Sequence, residues 1–232
     1  GGDKSLSIRW ILLASQATGK SKAYNLLMSE DVLAAVDSIK KLGIKVKINK
    51  HCCEILGNGI NGFKYKKNLT INAKNSGTFG RLILGLLIKS PQKIKLIGDK
   101  SLSKRDFSRV TVPLEKFGTK FFYKTKNKLP LTILGSQAPK GIKYLEDKGS
   151  AQCKSSVMLA ALNSSGTTSI KAKKSRNHSE LLFKYLKIPT KINSTKEYDF
   201  IDIKKPKKIK AFNYQIPGDI SSSAFFMVLT TL

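Results

Sequence analysis

Acidic residues are scarce in this chain. Fifteen Asp and Glu stand against 43 Lys and Arg in 232 residues, a formal net charge of +28. That imbalance argues against cationic ligands and favours anionic ones. Arginine is scarce as well, with Arg9, Arg81, Arg105, Arg109 and Arg176 the only five. Cysteine is limited to Cys52, Cys53 and Cys153. An odd number without metal-site spacing excludes a disulfide framework and fits a reducing cytoplasm. The two histidines, His51 and His178, are far apart and have no Cys or acidic cluster beside them. No metal is expected. Long apolar runs are missing: the longest, 82–88, contains Gly85 and is too short for a bilayer. No membrane partner is expected, and no secretory signal opens the chain. The first residue is Gly rather than Met, and 225–232 sit inside an apolar helical pattern. Both ends read as cut, which makes the chain a fragment of a longer protein.

Hydrophobic residues make up 41% of the chain, enough for a substantial core. The lysines are scattered over strands, loops and helices rather than gathered on one stripe. Lys, Asn and Ile are all abundant, as an AT-rich coding sequence would produce. Composition therefore accounts for the charge better than a nucleic-acid interface does, and no nucleic-acid partner is expected. The arginines behave differently, because four of the five fall in or beside Gly/Ser motifs. Arginine offers a planar fork to phosphate and carboxylate that lysine cannot copy.

The first such motif is Gly2-Asp3-Lys4-Ser5-Leu6-Ser7-Ile8-Arg9. A tight turn frees backbone N–H groups, the helix start adds partial positive charge, and Lys4 and Arg9 add full charges. Asn75-Ser76-Gly77-Thr78, Gly149-Ser150-Ala151-Gln152 and Pro217-Gly218-Asp219-Ile220-Ser221-Ser222 repeat the device. Such a chain is suited to holding several anionic groups at once.

A weak repeat of about 70 residues accompanies these motifs. Lys41-Leu42-Gly43-Ile44 and Lys116-Phe117-Gly118-Thr119 each predict a helix closed by a left-handed glycine and followed by a strand. Tyr185-Leu186-Lys187-Ile188 is a third copy without the glycine. Unit one predicts helices over 6–15 and 31–42, the second capped by Ser29, and strands over 22–27, 45–48 and 53–56. Unit two predicts helices over 78–88 and 105–117 and strands over 93–97, 120–123 and 131–134. Unit three predicts helices over 151–162 and 177–186 and strands over 167–171, 190–192 and 198–203. If a strand leads into each motif, the chain is βαβαββ three times, and units this small must share one core. Gly57-Asn58-Gly59-Ile60-Asn61-Gly62 matches a dinucleotide pattern, but no helical face follows it, so a hairpin turn is expected there.

Six ordered segments resemble one family, the EPSP synthases (3-phosphoshikimate 1-carboxyvinyltransferases). They are Gly2 to Arg9, Asn75 to Leu82, Gly98 to Arg105, Gly149 to Ser155, Ser175-Arg176-Asn177-His178-Ser179-Glu180, and Pro217 to Ser222. The resemblance implies an α/β enolpyruvyl transferase fold. One pseudo-threefold domain of three βαβαββ units would span 4–216, in repeats of about 4–70, 71–145 and 146–216. Residues 1–3 and 217–232 would belong to a second domain that is largely missing. The implied reaction transfers the carboxyvinyl group of phosphoenolpyruvate to the 5-hydroxyl of shikimate 3-phosphate. It needs no cofactor, and a monomer is implied.

By motif, the resemblance places Lys4, Ser5, Arg9, Ser150, Ala151, Gln152, Ser175 and Arg176 on shikimate 3-phosphate. It places Lys4, Asn75, Gly77, Arg105 and Gln152 on phosphoenolpyruvate. Lys4 is the catalytic-site contact, and the acid/base residues are expected outside this chain. Gly77 in its motif also implies inhibition of the whole enzyme by glyphosate, which occupies the phosphoenolpyruvate region. Plainer roles stand beside these. Ser5 and Ser150 suit helix caps, and Gly77 suits a turn. Arg81 suits a helix-packed stem meeting a carboxylate, His178 a structural role, and Lys154 a solvated side chain. Three departures from the family pattern are Gly1 for proline, Ile8 for histidine, and Asp106 for the proline after Arg105. Asp106 is expected to pair with Arg105 and weaken its hold on phosphoenolpyruvate. Two other readings are UDP-N-acetylglucosamine enolpyruvyl transferase and a non-catalytic module for anions or nucleic acid. The former usually has asparagine after the opening lysine and a reactive cysteine in a mobile loop, whereas Ser5 follows Lys4 here.

Overall fold

Three helices in this chain are buried on nearly every side, and the fold is arranged around them. The computed structural model describes residues 1–50 and 52–218. The motif residues beyond Gly218, the pattern at 225–232, and His51 lie outside the described residues. Helix α1 (Lys4–Gln16) buries every residue from Leu6 to Gln16. Helix α3 (Gly77–Leu86) and helix α5 (Ala151–Ala161) are buried almost as completely. A helix buried on every side needs a shell of other elements, both to cover its apolar residues and to pair its buried polar ones. The shell here is helices α2 (Glu30–Lys41), α4 (Ser108–Glu115) and α6 (His178–Tyr185), with three sheets outside them. Each inner helix packs against an outer helix of the neighbouring unit: α1 on α6, α3 on α2, α5 on α4.

The sheets share one strand order. Strands β4 (Leu69–Asn72), β5 (Ile94–Ile97), β6 (Lys120–Tyr123) and β7 (Leu131–Leu134) lie in the order β4-β5-β7-β6. Strands β8 (Lys143–Glu146), β9 (Thr167–Lys173), β10 (Thr190–Ser194) and β11 (Tyr198–Lys204) repeat it as β8-β9-β11-β10. In both sheets the first pair is parallel and the rest antiparallel. The remaining sheet contains β1 (Ala17–Tyr24), β2 (Lys45–Ile48) and β3 (Cys52–Asn58). Its leading position is filled from the far end of the described chain, by β12 (Ile209–Lys210) and β13 (Asn213–Gln215), both parallel to β1. The three units are thereby closed into a ring, and the end of the third supplies the strand that the first lacks.

Local sequence explains the helix starts. Asp3, Ser76 and Ser150 cap α1, α3 and α5, accepting from the N–H groups of Leu6 (2.7 Å), Phe79 (3.1 Å) and Cys153 (3.2 Å). Gly43 (φ +87°) and Gly118 (φ +93°) follow helix ends in the left-handed region, and Lys187 (φ +55°) takes that conformation in the third copy without glycine.

Several expectations shift. The strand expected over 22–27 is β1 at Ala17–Tyr24, because α1 runs straight into it without a loop. Ser29 stands at the start of α2 but makes no capping hydrogen bond. The helix expected from Arg105 starts at Ser108. Residues Leu102–Lys104 form a separate 3-10 turn, and Arg105 leaves it in extended backbone. The Gly57–Gly62 segment is not a hairpin turn, since β3 and β4 belong to different sheets and the chain crosses between them there. A Cβ on Gly57 would sit 2.1 Å from the Ala17 carbonyl oxygen, so close backbone packing accounts for that glycine.

Candidate anion-binding site

The N-terminal ends of α1, α3, α5 and α6 come together around one cavity of about 890 Å³. Lys4, Ser5 and Arg9 line it from α1, Thr78 from α3, and Gly149, Ser150, Ala151 and Gln152 from the α5 start. Ser175, Arg176, Asn177 and His178 complete the wall at the α6 start. All eight residues assigned to shikimate 3-phosphate are therefore neighbours, although they come from opposite ends of the chain. Helix starts present unpaired N–H groups and the positive end of the helix dipole, so four of them at one cavity favour an anion.

Arg9 anchors this wall. It is only 3% exposed, and each of its three nitrogens donates a hydrogen bond. Nε donates to Ser179 Oγ (2.8 Å), Nη2 to Ser155 Oγ (3.0 Å), and Nη1 to the hydroxyl and carbonyl oxygens of Ser5. Those bonds tie α1 to α5 and α6. Burial lowers its pKa to about 10, against the opposing charges of Glu180 and Asp3 and with a further push from Arg176. Arg9 remains a cation at neutral pH. Lys4 has a looser arrangement. Its ammonium meets Asp31 of α2 at 2.9 Å with half of the side chain exposed. An exposed pair of this kind contributes little, so the lysine is free to exchange partners. Ser150 shows how a cap and a ligand contact coexist, whereas Ser5 lies inside α1, which Asp3 caps, and is not a cap. The Ser150 oxygen accepts from Cys153 N–H, which leaves its own proton for an anion.

His178 Nδ1 lies 3.2 Å from Ser5 Oγ. Burial lowers the His178 pKa, Arg9 and Arg176 add to the shift, and Asp3 opposes it. The neutral ring is favoured in the folded state. Between its lowered midpoint and about 6.5 the unfolded chain binds a proton that the folded one does not, so stability falls as pH drops through that window. We expect the His178 NMR titration to have a midpoint below 6.5 and to move upward when an anion fills the cavity. A midpoint at or above 6.5 in the ligand-free chain would contradict this environment.

A second cluster adjoins the first. A Cβ placed on Gly77 would lie 2.8 Å from Arg81 Nη1 and 3.1 Å from Arg105 Nη1, so two guanidinium groups flank the start of α3. Gln152 joins the clusters: its Oε1 accepts from Arg81 Nη1 (3.1 Å), and its Nε2 donates to Thr78 Oγ1 (3.0 Å). Asn75 does not line the main cavity. Its amide donates to Asp99 Oδ2 (2.6 Å), and Asp99 Oδ1 accepts from Leu102 N–H (2.7 Å). The Asn75 bond, followed by the Leu102 bond, holds the Asp99 carboxyl below its usual range.

Three expectations about individual residues change. Arg81, left out of the site by sequence reasoning, stands inside this second cluster. Its Nη2 donates to the Asp106 carbonyl (3.2 Å), its carbon lies 4.9 Å from the Phe107 ring centre, and no carboxylate pairs with it among the described residues. The signal available was its spacing, one helical turn after Gly77. Asp106 does not form an ion pair with Arg105. Its carboxylate is turned to Ser108, accepting from the N–H (2.7 Å) and the hydroxyl at the start of α4. Lys154 is not solvated but completely buried.

The cysteines are free thiols, and none lines the cavity. Burial, followed by the neighbouring Cys52, pushes the Cys53 thiol up to about 12, and Cys153 is buried on α5. That arrangement does not suit a reactive cysteine at the site. No group of three His, Cys, Asp or Glu side chains placed to hold a metal occurs among the described residues. No described helix is long and apolar enough to cross a membrane.

A ring of three βαβαββ units with helix starts and arginines facing one cleft defines a domain of the enolpyruvyl transferase fold. The family described as EPSP synthase (3-phosphoshikimate 1-carboxyvinyltransferase) matches residues 1–232, and the chain belongs to that family. It is 39% identical over 228 residues to the 3-phosphoshikimate 1-carboxyvinyltransferase of Streptococcus mutans, covering 97% of this chain and 52% of that protein. It is 41% identical over 233 residues to the enzyme of the same name from Ruthia magnifica, covering 100% of this chain and 52% of that one. The solved EPSP synthase of Acinetobacter baumannii superposes with a TM-score of 0.89 at 33% identity, over 98% of this chain and 51% of that structure. The chain thus spans about half the length of the curated relatives it matches.

Proposed function

We propose that this chain forms the shikimate 3-phosphate side of a 3-phosphoshikimate 1-carboxyvinyltransferase, together with part of its phosphoenolpyruvate side. The observation that carries the reading is the pair of adjoining cationic clusters bridged by Gln152. Two anionic substrates must meet at one point, and neutralising their charge before they approach supplies much of the rate. Arg9, Ser5, Ser150, Ala151, Ser175 and Arg176 hold the sugar phosphate and its carboxylate. Asn75, Gly77 and Arg105 form the phosphoenolpyruvate side. Lys4 and Gln152 reach both substrates.

The reaction adds the 5-hydroxyl across the enolpyruvyl double bond, its oxygen bonding to C2, its own proton released and C3 gaining a proton, to give a tetrahedral intermediate. The bond from C2 to the phosphate oxygen then breaks as C3 loses a proton, releasing phosphate and 5-enolpyruvylshikimate 3-phosphate. The family resemblance assigns the proton-transfer groups to the half of its relatives that this chain does not span. The described residues of the cavity provide binding and orientation instead. Transfer is expected only when that other half is supplied. The domain would occupy 4–216, work as a monomer in the cytoplasm, and need neither cofactor nor nucleic acid.

Calorimetric titration with shikimate 3-phosphate and with single-stranded RNA, at two salt concentrations, tests the reading. Binding of the sugar phosphate with a Kd of about 0.1–1 mM is expected. Salt-sensitive RNA binding without sugar-phosphate binding would instead support a non-catalytic module. Arg105→Lys keeps the charge and loses the fork, so it should weaken phosphoenolpyruvate about tenfold while leaving shikimate 3-phosphate nearly unchanged. Equal losses for both ligands would contradict the assignment.

A further inference from the structure

Behind the cavity wall lies an ion pair that the binding scheme does not use. Lys154 of α5 is 0% exposed, and Glu180 of α6 is 6% exposed. The Lys154 ammonium forms an ion pair with Glu180 Oε1, and neither Glu180 oxygen has a hydrogen-bond partner of good geometry among the described residues. The same ammonium donates to the backbone carbonyl of Arg176 at 3.1 Å. Arg176 sits in the segment Ser175–Asn177, which leads into α6 and lines the cavity.

An anion-binding wall must present donors and keep carbonyl oxygens turned away. We propose that Lys154 and Glu180 act as a positioning pair. Lys154 draws the Arg176 carbonyl back from the cavity, and Glu180 holds Lys154 in place, so that Ser175 and Arg176 face the bound anion. This inference rests on the anion-binding reading above. Other charges face the pair, Arg9 towards Glu180 and Asp199 towards Lys154. Arg9 donates to Ser5, Ser155 and Ser179, and Lys174 pairs with Asp199 on β11, so neither cation takes over the Arg176 carbonyl.

Stability alone does not explain the pair. Burying two charges is costly, and an apolar pair of similar volume commonly folds as well or better. Loss of one partner would strand a buried charge, whereas loss of both would leave an apolar contact. The double replacement removes the hold on the carbonyl without stranding either charge of the pair. It also removes the Glu180 charge near Arg9, so the Ser175–Asn177 amides, and not affinity alone, report the hold.

The test is Lys154→Met/Glu180→Leu in the full chain. The readouts are the melting temperature, shikimate 3-phosphate titration, and backbone amide NMR signals. The expected result is a melting temperature within about 3 °C of the parent and roughly tenfold weaker binding. The Ser175, Arg176 and Asn177 amides should shift while those of Gly149 to Gln152 stay in place. Unchanged affinity together with unchanged Ser175–Asn177 amides would overturn the proposal. If the parent itself does not bind shikimate 3-phosphate, the substrate reading fails, and the amide signals alone then decide the positioning role. Should the double variant fail to fold, Glu180→Gln keeps both shapes but loosens Lys154. A smaller shift of the same three amides would support the proposal, and no shift would overturn it.

Discussion

Gly85→Ala is expected to destabilise the chain by about 3 kcal/mol, measured by urea unfolding. A Cβ at this position would lie 2.2 Å from the carbonyl oxygen of Ser156 and 3.0 Å from its carbonyl carbon. Both atoms are backbone of α5, so no side-chain rotation relieves the overlap. Helices α3 and α5 would have to move apart along their shared contact. Alanine is worth about 1 kcal/mol more than glycine inside a helix, which offsets only part of that cost. The damage should extend to the site. Ser156 Oγ donates to the Arg81 carbonyl at 2.9 Å, and Gln152 on α5 reaches Arg81 and Thr78 on α3. Separating the helices disconnects the two cationic clusters. Unchanged or increased stability in the variant would show that the close approach is not rigid.

Gly77→Ala should have the opposite profile, with the fold kept and one ligand lost. The added methyl would meet Arg81 Nη1 at 2.8 Å and Arg105 Nη1 at 3.1 Å, both at the ends of flexible side chains. The guanidinium groups can swing aside, so the melting temperature should change little. They can no longer converge on the space before α3, however. We expect phosphoenolpyruvate to bind the shikimate 3-phosphate-saturated chain about thirtyfold more weakly, with shikimate 3-phosphate itself within about threefold of the parent. The Nε–H NMR signals of Arg81 and Arg105 during phosphoenolpyruvate titration provide the measurement. Equal affinity for phosphoenolpyruvate in the two proteins would remove Gly77 from that subsite.

Much of this architecture is legible in the chain because its signals are local. Gly43 and Gly118 mark helix ends wherever the rest of the protein lies, since the left-handed conformation is a property of one residue and its neighbours. Ser76 and Ser150 cap the turn that immediately follows them. Misplaced elements have non-local causes. Strand β1 starts at Ala17 because pairing with β3 and β12 decides where extended backbone is satisfied. The helix expected from Arg105 was shortened by the turn at Leu102–Lys104 and by Asp106, which binds the Ser108 N–H.

Site residues divide the same way. Lys4, Arg9, Ser150 and Gln152 stand out because motif spacing ties each to a helix start. Arg81 and Lys154 were misjudged because a side chain's surroundings depend on the element packed against it. On an isolated α5, Lys154 would reach water. With α6 laid across it, the same side chain is buried against Glu180 and the Arg176 carbonyl.

Residue order alone thus dictated the threefold rhythm, the positions of the inner helix starts, and a preference for anions. Those features follow from chirality, capping and charge, which act over a few residues. Packing settled the rest: that the far end of the chain completes the first sheet, that Gln152 bridges two clusters, and that an arginine is buried in the cavity wall with a lysine behind it. Such outcomes require groups far apart in sequence to share one volume, as the Asp3 N–H and the Pro217 carbonyl do at 2.9 Å. They depend on how three units close on one another, which no short segment specifies.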